Sequence, residues 1–313
     1  MGLLVLKPGH FTTIQDQGRA GHREWGVPSA GAFDLGSLAI ANGLLGNEPK
    51  DAALELTLLG GVYEAKVPLA LALAGAPMKA TLIRPGRTKF ELFIPQSFSV
   101  EPGDQLQIGG TTRGARTYLA VRGGWRTSEV LGSRSTESRL ESGTLLPALS
   151  SQTLCRRISS PPESLPGECS LIRVLRGPDA GRASNLEVWA RSCFQVTPAC
   201  DRMGLRLEGP VLELEVEGEP LSGPVTPGSV QIAGGQMLIL GVSCGTMGGY
   251  PQVANVISSD LGRLGQLRQG DKVQLQLIEL EEARAIDLQT RLKRRAMFRR
   301  IAHLVRDLDV AKS

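Results

Sequence analysis

Turn residues punctuate this chain so often that long helices have little room in it. Thirty-eight glycines and 19 prolines are spread through 313 residues, with no low-complexity tract to absorb them. Glycine supplies unusual backbone angles and proline removes an N–H donor, so this spacing predicts many turns between short elements, the pattern of β structure. Apolar runs and alternations fill the gaps: GLLVL at 2–6, VPLALALAG at 67–75, TKFELFI at 88–94, DQLQIGG at 104–110 and RTYLAVRGG at 116–124. The second half continues with SLIRVLRG at 170–177, MGLRLEGP at 203–210, VLELEVEG at 211–218, MLILGV at 237–242 and DKVQLQLIEL at 271–280. Two of these strands and a third candidate follow similar turns, in PGDQLQIGG (102–110), QGDKVQLQL (269–277) and PGSVQIAGG (227–235). Duplication of a β domain would explain the likeness, and so would the ordinary frequency of such turns before strands.

Helices are few. Asp34 suits an N-cap for 35–46, where Leu38, Ala41 and Leu45 share a stripe and Gly46-Asn47 supplies a stop. After Pro251, the spacing of Val253, Val256, Ile257, Leu261 and Leu264 predicts a second helix over 252–264. The tail, 281–313, sets Leu288, Leu292, Phe298, Ile301, Val305 and Leu308 beside Arg291, Lys293, Arg294, Arg295, Arg299 and Arg300. Such a basic amphipathic helix packs on its own protein, meets a partner subunit, or meets nucleic acid or a membrane surface. The Ser- and Pro-rich stretch predicts a linker at 151–167, between an N-terminal β domain (1–150) and a C-terminal one (168–280), with the tail beyond.

Composition narrows the function classes. A net charge of +4, with 21% charged and 4% aromatic residues, carries no strong nucleic-acid signature. No run of 18 apolar residues and no secretory leader is present, so no membrane span and a cytoplasmic location are expected. Five scattered cysteines without a C-x-x-C pair read as reduced thiols, and His10, His22 and His303 lack ligand spacing, so no metal site is expected. The zinc-protease, α/β-hydrolase and P-loop signatures are all missing.

Candidate chemistry therefore falls on loops that join glycine, hydroxyls and arginine, residue types able to offer N–H donors and fixed positive charge to an anionic or carbonyl ligand. In TTIQDQGRAGHREWGVPSAGAFD (12–34), Gln15, Asp16 and Arg19 surround tight turns at Gly18 and Gly21. Arg19 could hold a carboxylate or phosphate with Asp16 orienting it, or the two could be an internal pair that fixes the loop. Arg116 leads the strand RTYLAV, and GSRSTESR (132–139) offers Ser133, Arg134, Ser135 and Thr136. In GTMGGYPQVANV (245–256), Thr246, Gly248, Gly249, Tyr250 and Pro251 precede the expected helix, whose N-terminus would favour negative charge; the alternative is a plain turn needing φ > 0.

Taken in order, TTIQDQGRAGHREWGVPSAGAFD, LAIANGLLGN with AALELTLLGG, GARTYLAVRGG, GSRST, RMGLRLEGP, PGSVQIAGG and GGYPQVANVISSDLGRLGQLRQGD resemble the biotin-dependent carboxyltransferase family over most of residues 3–278. That family includes the C subunit of bacterial 5-oxoprolinase, the Kip antagonist and a carboxyltransferase portion of urea carboxylase. The resemblance implies two cyclophilin-like β-barrel domains with ligand groups near their junction. It implies a Kip-inhibitor-like B-type partner and, in oxoprolinase, an A-type subunit as well. The implied activity is ATP-dependent opening of 5-oxoproline to glutamate, or carboxyl transfer from carboxybiotin to a small amide or urea. ATP would sit on this subunit, on a partner or at their interface; biotin would enter only as a carrier on a partner. Asp16 is the candidate general base, and Gln15, Arg19, Arg116, Ser133 to Thr136, Thr246 and Gly248 to Pro251 are candidate substrate-binding residues.

Three departures stand out. Before GGYP the family usually reads something like Ala-Asp-x-Gln-Thr-Thr, whereas this chain has Val242-Ser243-Cys244-Gly245-Thr246-Met247. A glycine-rich loop that normally follows GSRST is short here, and the basic tail is longer than the family requires. The first two also suit a non-catalytic, Kip-antagonist-like regulator that binds a Kip-inhibitor-like protein.

Overall fold

The computed structural model describes residues 2–86, 88–159, 163–215 and 222–310, with the backbone alone over 302–310. The chain is mainly β and divides into two compact units. The first holds the residues up to Gly18, Asp34–Leu165 and those from Lys293 onward; the second holds Arg19–Phe33 and Pro166–Leu292.

The strands of the first unit are, in chain order, β1 (Gly2–Lys7), β2 (Phe11–Gln15), β3 (Ala53–Thr57), β4 (Leu59–Ala65), β5 (Leu69–Gly75), β6 (Met78–Ile83), β7 (Lys89–Leu92), β8 (Gln96–Val100), β9 (Gln105–Thr111), β10 (Arg116–Val121), β11 (Leu145–Pro147) and β12 (Arg156–Arg157); helix α1 (Leu35–Leu45) precedes β3. They form two six-stranded sheets, ordered β11-β1-β4-β9-β6-β7 and β12-β8-β5-β10-β3-β2. Leu3, Val5, Leu54, Leu71, Leu73, Leu106, Ile108 and Leu119 belong to one buried core. The expected linker contributes β12, which pairs with β8, and residues 160–162 of it lie outside the described residues.

Helix α1 forms where its caps predict: the Asp34 carboxylate accepts from the Gly36 and Ser37 N–H groups, and Gly46 closes the helix at φ 71°. Leu38, Ile40, Ala41, Leu44 and Leu45 are all buried, so the helix is apolar nearly all round, as a helix covered on several sides should be. It packs over β5, β8 and β10, which is why β5 is buried along its whole length. Near Gly43 the helix meets the tail: a Cβ there would lie 3.3 Å from the Phe298 ring.

The second unit contains β13 (Ser170–Arg176), β14 (Phe194–Cys200), β15 (Gly204–Glu208), β16 (Gly223–Pro224), β17 (Ser229–Ala233), β18 (Gln236–Leu240), β19 (Met247–Gly248), β20 (Gln252–Val256) and β21 (Lys272–Leu277), with helices α2 (Leu186–Ala190), α3 (Leu261–Leu264) and the start of α4 (Leu280–Val310). Seven strands close a barrel in the order β13-β20-β17-β18-β15-β14-β21, sealed by the parallel pairing of β13 with β21. Ile172, Val174, Phe194, Leu207, Val230, Ile239, Val253 and Leu275 fill it.

Three expectations are corrected. Residues 252–256 are strand β20, hydrogen-bonded to β13 on one side and β17 on the other; only Leu261–Leu264 is α-helical. Pairing on both edges outweighs a helical spacing that five apolar residues can also satisfy in a barrel wall. The stretch 211–218 contributes only a bridge from Leu214 to Ala183, and residues 216–218 lie outside the described residues. In the tail, Leu288 and Leu292 are exposed and Ile301 is buried, so the expected stripe is not one continuous contact; the side chains of Val305 and Leu308 lie outside the described residues.

The recurrent turn is one device used three times. Gly103, Gly228 and Gly270 have φ of 87°, 89° and 89°, the glycine position of a type II turn. In each, the residue after the glycine donates its N–H to the carbonyl three residues back, as Asp104 to Glu101, Ser229 to Thr226 and Asp271 to Arg268. Its side chain then accepts the N–H of that same residue. Each glycine N–H also reaches a carbonyl elsewhere, on Ala65, Leu240 and Val196 respectively.

Candidate functional site

In the first unit the structure brings Gln15, Asp16 and Ser133 to Thr136 together. The loop carrying the serines begins with a two-residue turn at Leu131 and Gly132, both at positive φ, closed by paired bonds between Val130 and Ser133. Asp16, at the end of β2, is buried and its carboxylate is encircled. Oδ1 accepts from Ser133 Oγ at 2.6 Å, Ser135 Oγ at 2.6 Å and Gly18 N at 2.8 Å, while Oδ2 accepts from the Arg134 N–H at 2.6 Å. The Asp16 N–H donates back to Ser135 Oγ, Gln15 Nε2 donates to the Thr136 carbonyl at 2.7 Å, and the Thr136 N–H donates to the Ile14 carbonyl. The sequence motif thus folds as a loop clasped to a strand end by one carboxylate.

Arg134 points the other way. Its guanidinium donates to the Thr127 carbonyl and pairs with Glu129 at 3.2 Å. It lines a cavity of about 590 Å³ with Asp16, Lys50, Asp51, Arg126 and Glu129. The volume is in the range of small-molecule sites, but the lining is polar, with both charges present, which suits a ligand carrying donors and acceptors together.

Arg116 belongs to a different buried cluster. Its Nε lies 3.3 Å from Glu55 Oε1, and Glu55 Oε2 accepts from the Tyr118 hydroxyl at 2.6 Å. Tyr118 Oη in turn accepts the Asp34 N–H, so the cluster reaches the cap of α1. Burial first, then the neighbouring Glu55 and Asp34 charges, push the Tyr118 hydroxyl well above its ordinary value. Sequence reading passed over Glu55 because it occupies an alternating strand as an exposed glutamate would; its zero exposure is a tertiary fact.

The remaining candidates lie in the second unit. Arg19 donates its backbone N–H to Ser29 in the loop that also carries Arg23. Arg23, which sequence reading did not single out, donates to the carbonyls of Val225 at 2.5 Å and Gly245 at 3.1 Å, tying that loop to the GTMGGYP stretch. The carbonyl of Thr246 accepts the Val225 N–H, and Gly248 pairs with Gly223 across β16 and β19. Neither Gly248 nor Gly249 is among the glycines with positive φ, so the turn reading of the pair is corrected, and only Gly248 is closely approached by its neighbours. A Cβ on Gly248 would fall 2.8 Å from Gln231 Nε2, the group that also bonds the Tyr250 carbonyl. With no helix beginning at Pro251, a helix N-terminus contributes nothing to anion binding there. Pro251 instead gives its carbonyl to Ile232, and the Tyr250 side chain is exposed. Just ahead, burial pushes the Cys244 thiol up, against the opposing charge of Arg23. A protonated thiol is a poor nucleophile.

Among the described residues, no group of three or more His, Cys, Asp or Glu side chains is placed to hold a metal ion, and no helix is long and apolar enough to cross a membrane.

Comparison with known proteins agrees with the motifs. The chain is 34% identical to the C subunit of 5-oxoprolinase from Escherichia coli over 295 residues, covering 90% of this chain and 93% of that protein. Among solved structures, the urea amidolyase of Kluyveromyces lactis superposes with a TM-score of 0.82 at 26% identity, over 94% of this chain and 20% of that one. The urea carboxylase of the same yeast gives 0.82 at 27% identity, over 94% of this chain and 29% of that one. The chain therefore spans less than a third of either yeast protein. With residues 25–277 matching the carboxyltransferase domain, subdomain A and B, the chain belongs to the carboxyltransferase domain family.

Proposed function

We propose that this chain is the C-type subunit of a cytoplasmic 5-oxoprolinase-like complex that opens a small cyclic amide at the expense of ATP. One observation carries the reading: the likeness to the C subunit of 5-oxoprolinase runs nearly end to end, 90% of one chain on 93% of the other, whereas the yeast urea enzymes contain it as a minor portion. A Kip-inhibitor-like B-type subunit and an A-type subunit would complete the assembly, with ATP held by a partner or at an interface. Carboxyl transfer from a partner's carboxybiotin to an amide or urea is the same family's other chemistry.

In this proposal Ser133, Arg134 and Ser135 form a preorganised loop beside the polar cavity, and Asp16 acts by holding them in place. The exposed Tyr250 and the backbone around Gly248 and Gly249 are a separate candidate ligand surface on the second unit. A donor fixed in place, such as the Arg134 guanidinium at the cavity, stabilises negative charge developing on a carbonyl oxygen without reorganising during the reaction. A regulatory reading, with binding of a Kip-inhibitor-like partner but no turnover, is favoured by the engagement of the Asp16 carboxylate with four donors, which leaves it poorly placed as a base.

The test is to purify the chain with its B- and A-type partners and follow glutamate formation and ATP hydrolysis with 5-oxoproline as substrate. Substrate-dependent hydrolysis with stoichiometric glutamate supports the catalytic reading. A stable, folded complex with no turnover supports the regulatory one and ends the first.

A further inference from the structure

The two sheets of the first unit end differently. One ends in β2, whose outer side is met by the Thr136 and Leu140 N–H groups, donating to the carbonyls of Ile14 and Thr12. The other ends in β7, where Lys89, Phe90 and Glu91 are all exposed. One bond fixes which backbone groups of β7 are spoken for. The Arg84 N–H donates to the Thr88 carbonyl at 3.0 Å, in register with the pairings of Leu82 to Phe90 and Ala80 to Leu92. Groups directed at one neighbour recur every second residue, so Thr88, Phe90 and Leu92 face β6, and the N–H and C=O groups of Lys89 and Glu91 face away. The next outward donor, the Phe93 N–H, is taken by Gln96 Oε1 at 3.0 Å. The bare edge is therefore Lys89 and Glu91, whose outward backbone groups have no partner among the described residues.

The side chains divide between the two faces. Phe90 lies on the core side, opposite the buried Leu82, yet it is 43% exposed because the sheet stops beside it. The Arg84 guanidinium, which also reaches Asp104, stands over the ring at 5.1 Å. Lys89 and Glu91 project from the opposite face. We propose that β7 pairs with β7 of a second copy of this chain, antiparallel about a two-fold axis through Phe90.

Hydrogen bonding and charge select this register independently. A two-fold axis at Lys89 sets lysine against lysine. An axis at Glu91 sets glutamate against glutamate, and Lys89 against Phe93, whose N–H is already taken. With the axis at Phe90, Lys89 lies opposite Glu91 twice over, and every outward N–H and C=O of both edges finds a partner. The two Phe90 rings then meet as a non-hydrogen-bonded pair, the arrangement that brings side chains closest, and the apolar face continues from one copy into the next. A lysine on an edge strand ordinarily discourages pairing; here Glu91, two residues on, makes the same edge complementary to itself in one register only. The contact is small, so the dimer is a weak one that forms at micromolar concentration and above.

The experiment follows the mass of the full chain by sedimentation velocity in low-salt buffer as its concentration is raised into the submillimolar range. The wild type should pass reversibly from monomer to dimer. Lys89→Glu and Glu91→Lys each set like charges opposite in both symmetric pairs, and each should weaken the dimer by about tenfold or more. The double variant carrying both exchanges the charges and should restore it. A second measurement reads the register itself: residues of a non-hydrogen-bonded pair have Cα atoms about 4.5 Å apart, within disulfide range, so Phe90→Cys should cross-link two copies at position 90 under mild oxidation, as mapped by mass. A chain that stays monomeric throughout, a dimer indifferent to both single variants, a double variant no better than either single one, or a Phe90→Cys protein that fails to cross-link at position 90 would each overturn the proposal.

Discussion

Replacing Asp16 by asparagine tests whether this carboxylate is a clasp. Asparagine keeps Oδ1 and so keeps an acceptor for Ser133, Ser135 and Gly18, but it puts an NH2 group where Oδ2 now accepts the Arg134 N–H at 2.6 Å. One charge-assisted bond is lost, two donors face each other, and the remaining bonds become neutral. At about 1.5–3 kcal/mol for a bond to a charged group, a net cost of about 3 kcal/mol is expected. For a unit of this size that lowers Tm by roughly 6–12 °C. The loss should be felt first in the loop, since opening it costs less than unfolding the sheets. Trypsin cleavage after Arg134 should then accelerate by about 100-fold, the equivalent of about 3 kcal/mol in the opening equilibrium. Melting by differential scanning calorimetry and a timed trypsin digest, with peptides identified by mass, read both effects. An Asp16→Asn protein that melts within about 1 °C of the wild type and is cleaved at an unchanged rate would refute the clasp; lost turnover in such a protein would assign Asp16 to the chemistry.

Other perturbations separate structural from ligand-facing groups. Tyr118→Phe removes the bond to Glu55 and leaves a buried carboxylate and the Asp34 N–H without that partner, for an expected loss of about 1–3 kcal/mol by urea unfolding. Tyr250→Phe alters an exposed side chain, so stability should change by less than about 0.5 kcal/mol while KM for the amide substrate rises in the assembled complex. Phe298→Ala should free the last helix from α1 at Gly43, seen as faster trypsin cleavage among Arg294, Arg295, Arg299 and Arg300 with the barrel unaffected. Burial raises the hydroxyls of both Tyr63 and Tyr118 in the folded chain. The unfolded chain ionises them near pH 10, so their contribution is intact below that pH and lost as pH rises further; stability measured by urea titration should fall above about pH 10.

What the sequence disclosed depended on whether a local rule and the tertiary setting agreed. Asp34 and Gly46 marked α1 because capping is satisfied within a few residues. Strands β5, β10, β13 and β21 were legible as apolar runs or alternations. The run QSFSV was not, since its serines and glutamine look solvent-facing; in β8 Ser97 and Ser99 are satisfied by the carbonyls of Leu154 and Thr153. Residues 252–256 satisfied a helical spacing while the barrel required a strand. At the site, GSRST and Asp16 were legible as polar groups in loops, but their union across more than a hundred residues was not. Glu55 and Arg23 were hidden for the same reason, as charged side chains whose partners come from distant segments.

The closing of the barrel has a consequence for synthesis. Its first strand, β13, is sealed by its last, β21, so a chain growing from the ribosome holds β13 with one edge unpaired until Leu277 has emerged. Residues 19–33, made much earlier, belong to that same unit and must wait for it. Completion of the second unit thus waits for β21, and a truncated product that stops before β21 would leave a raw strand edge and an open core, the kind of surface that chaperones bind and proteases clear.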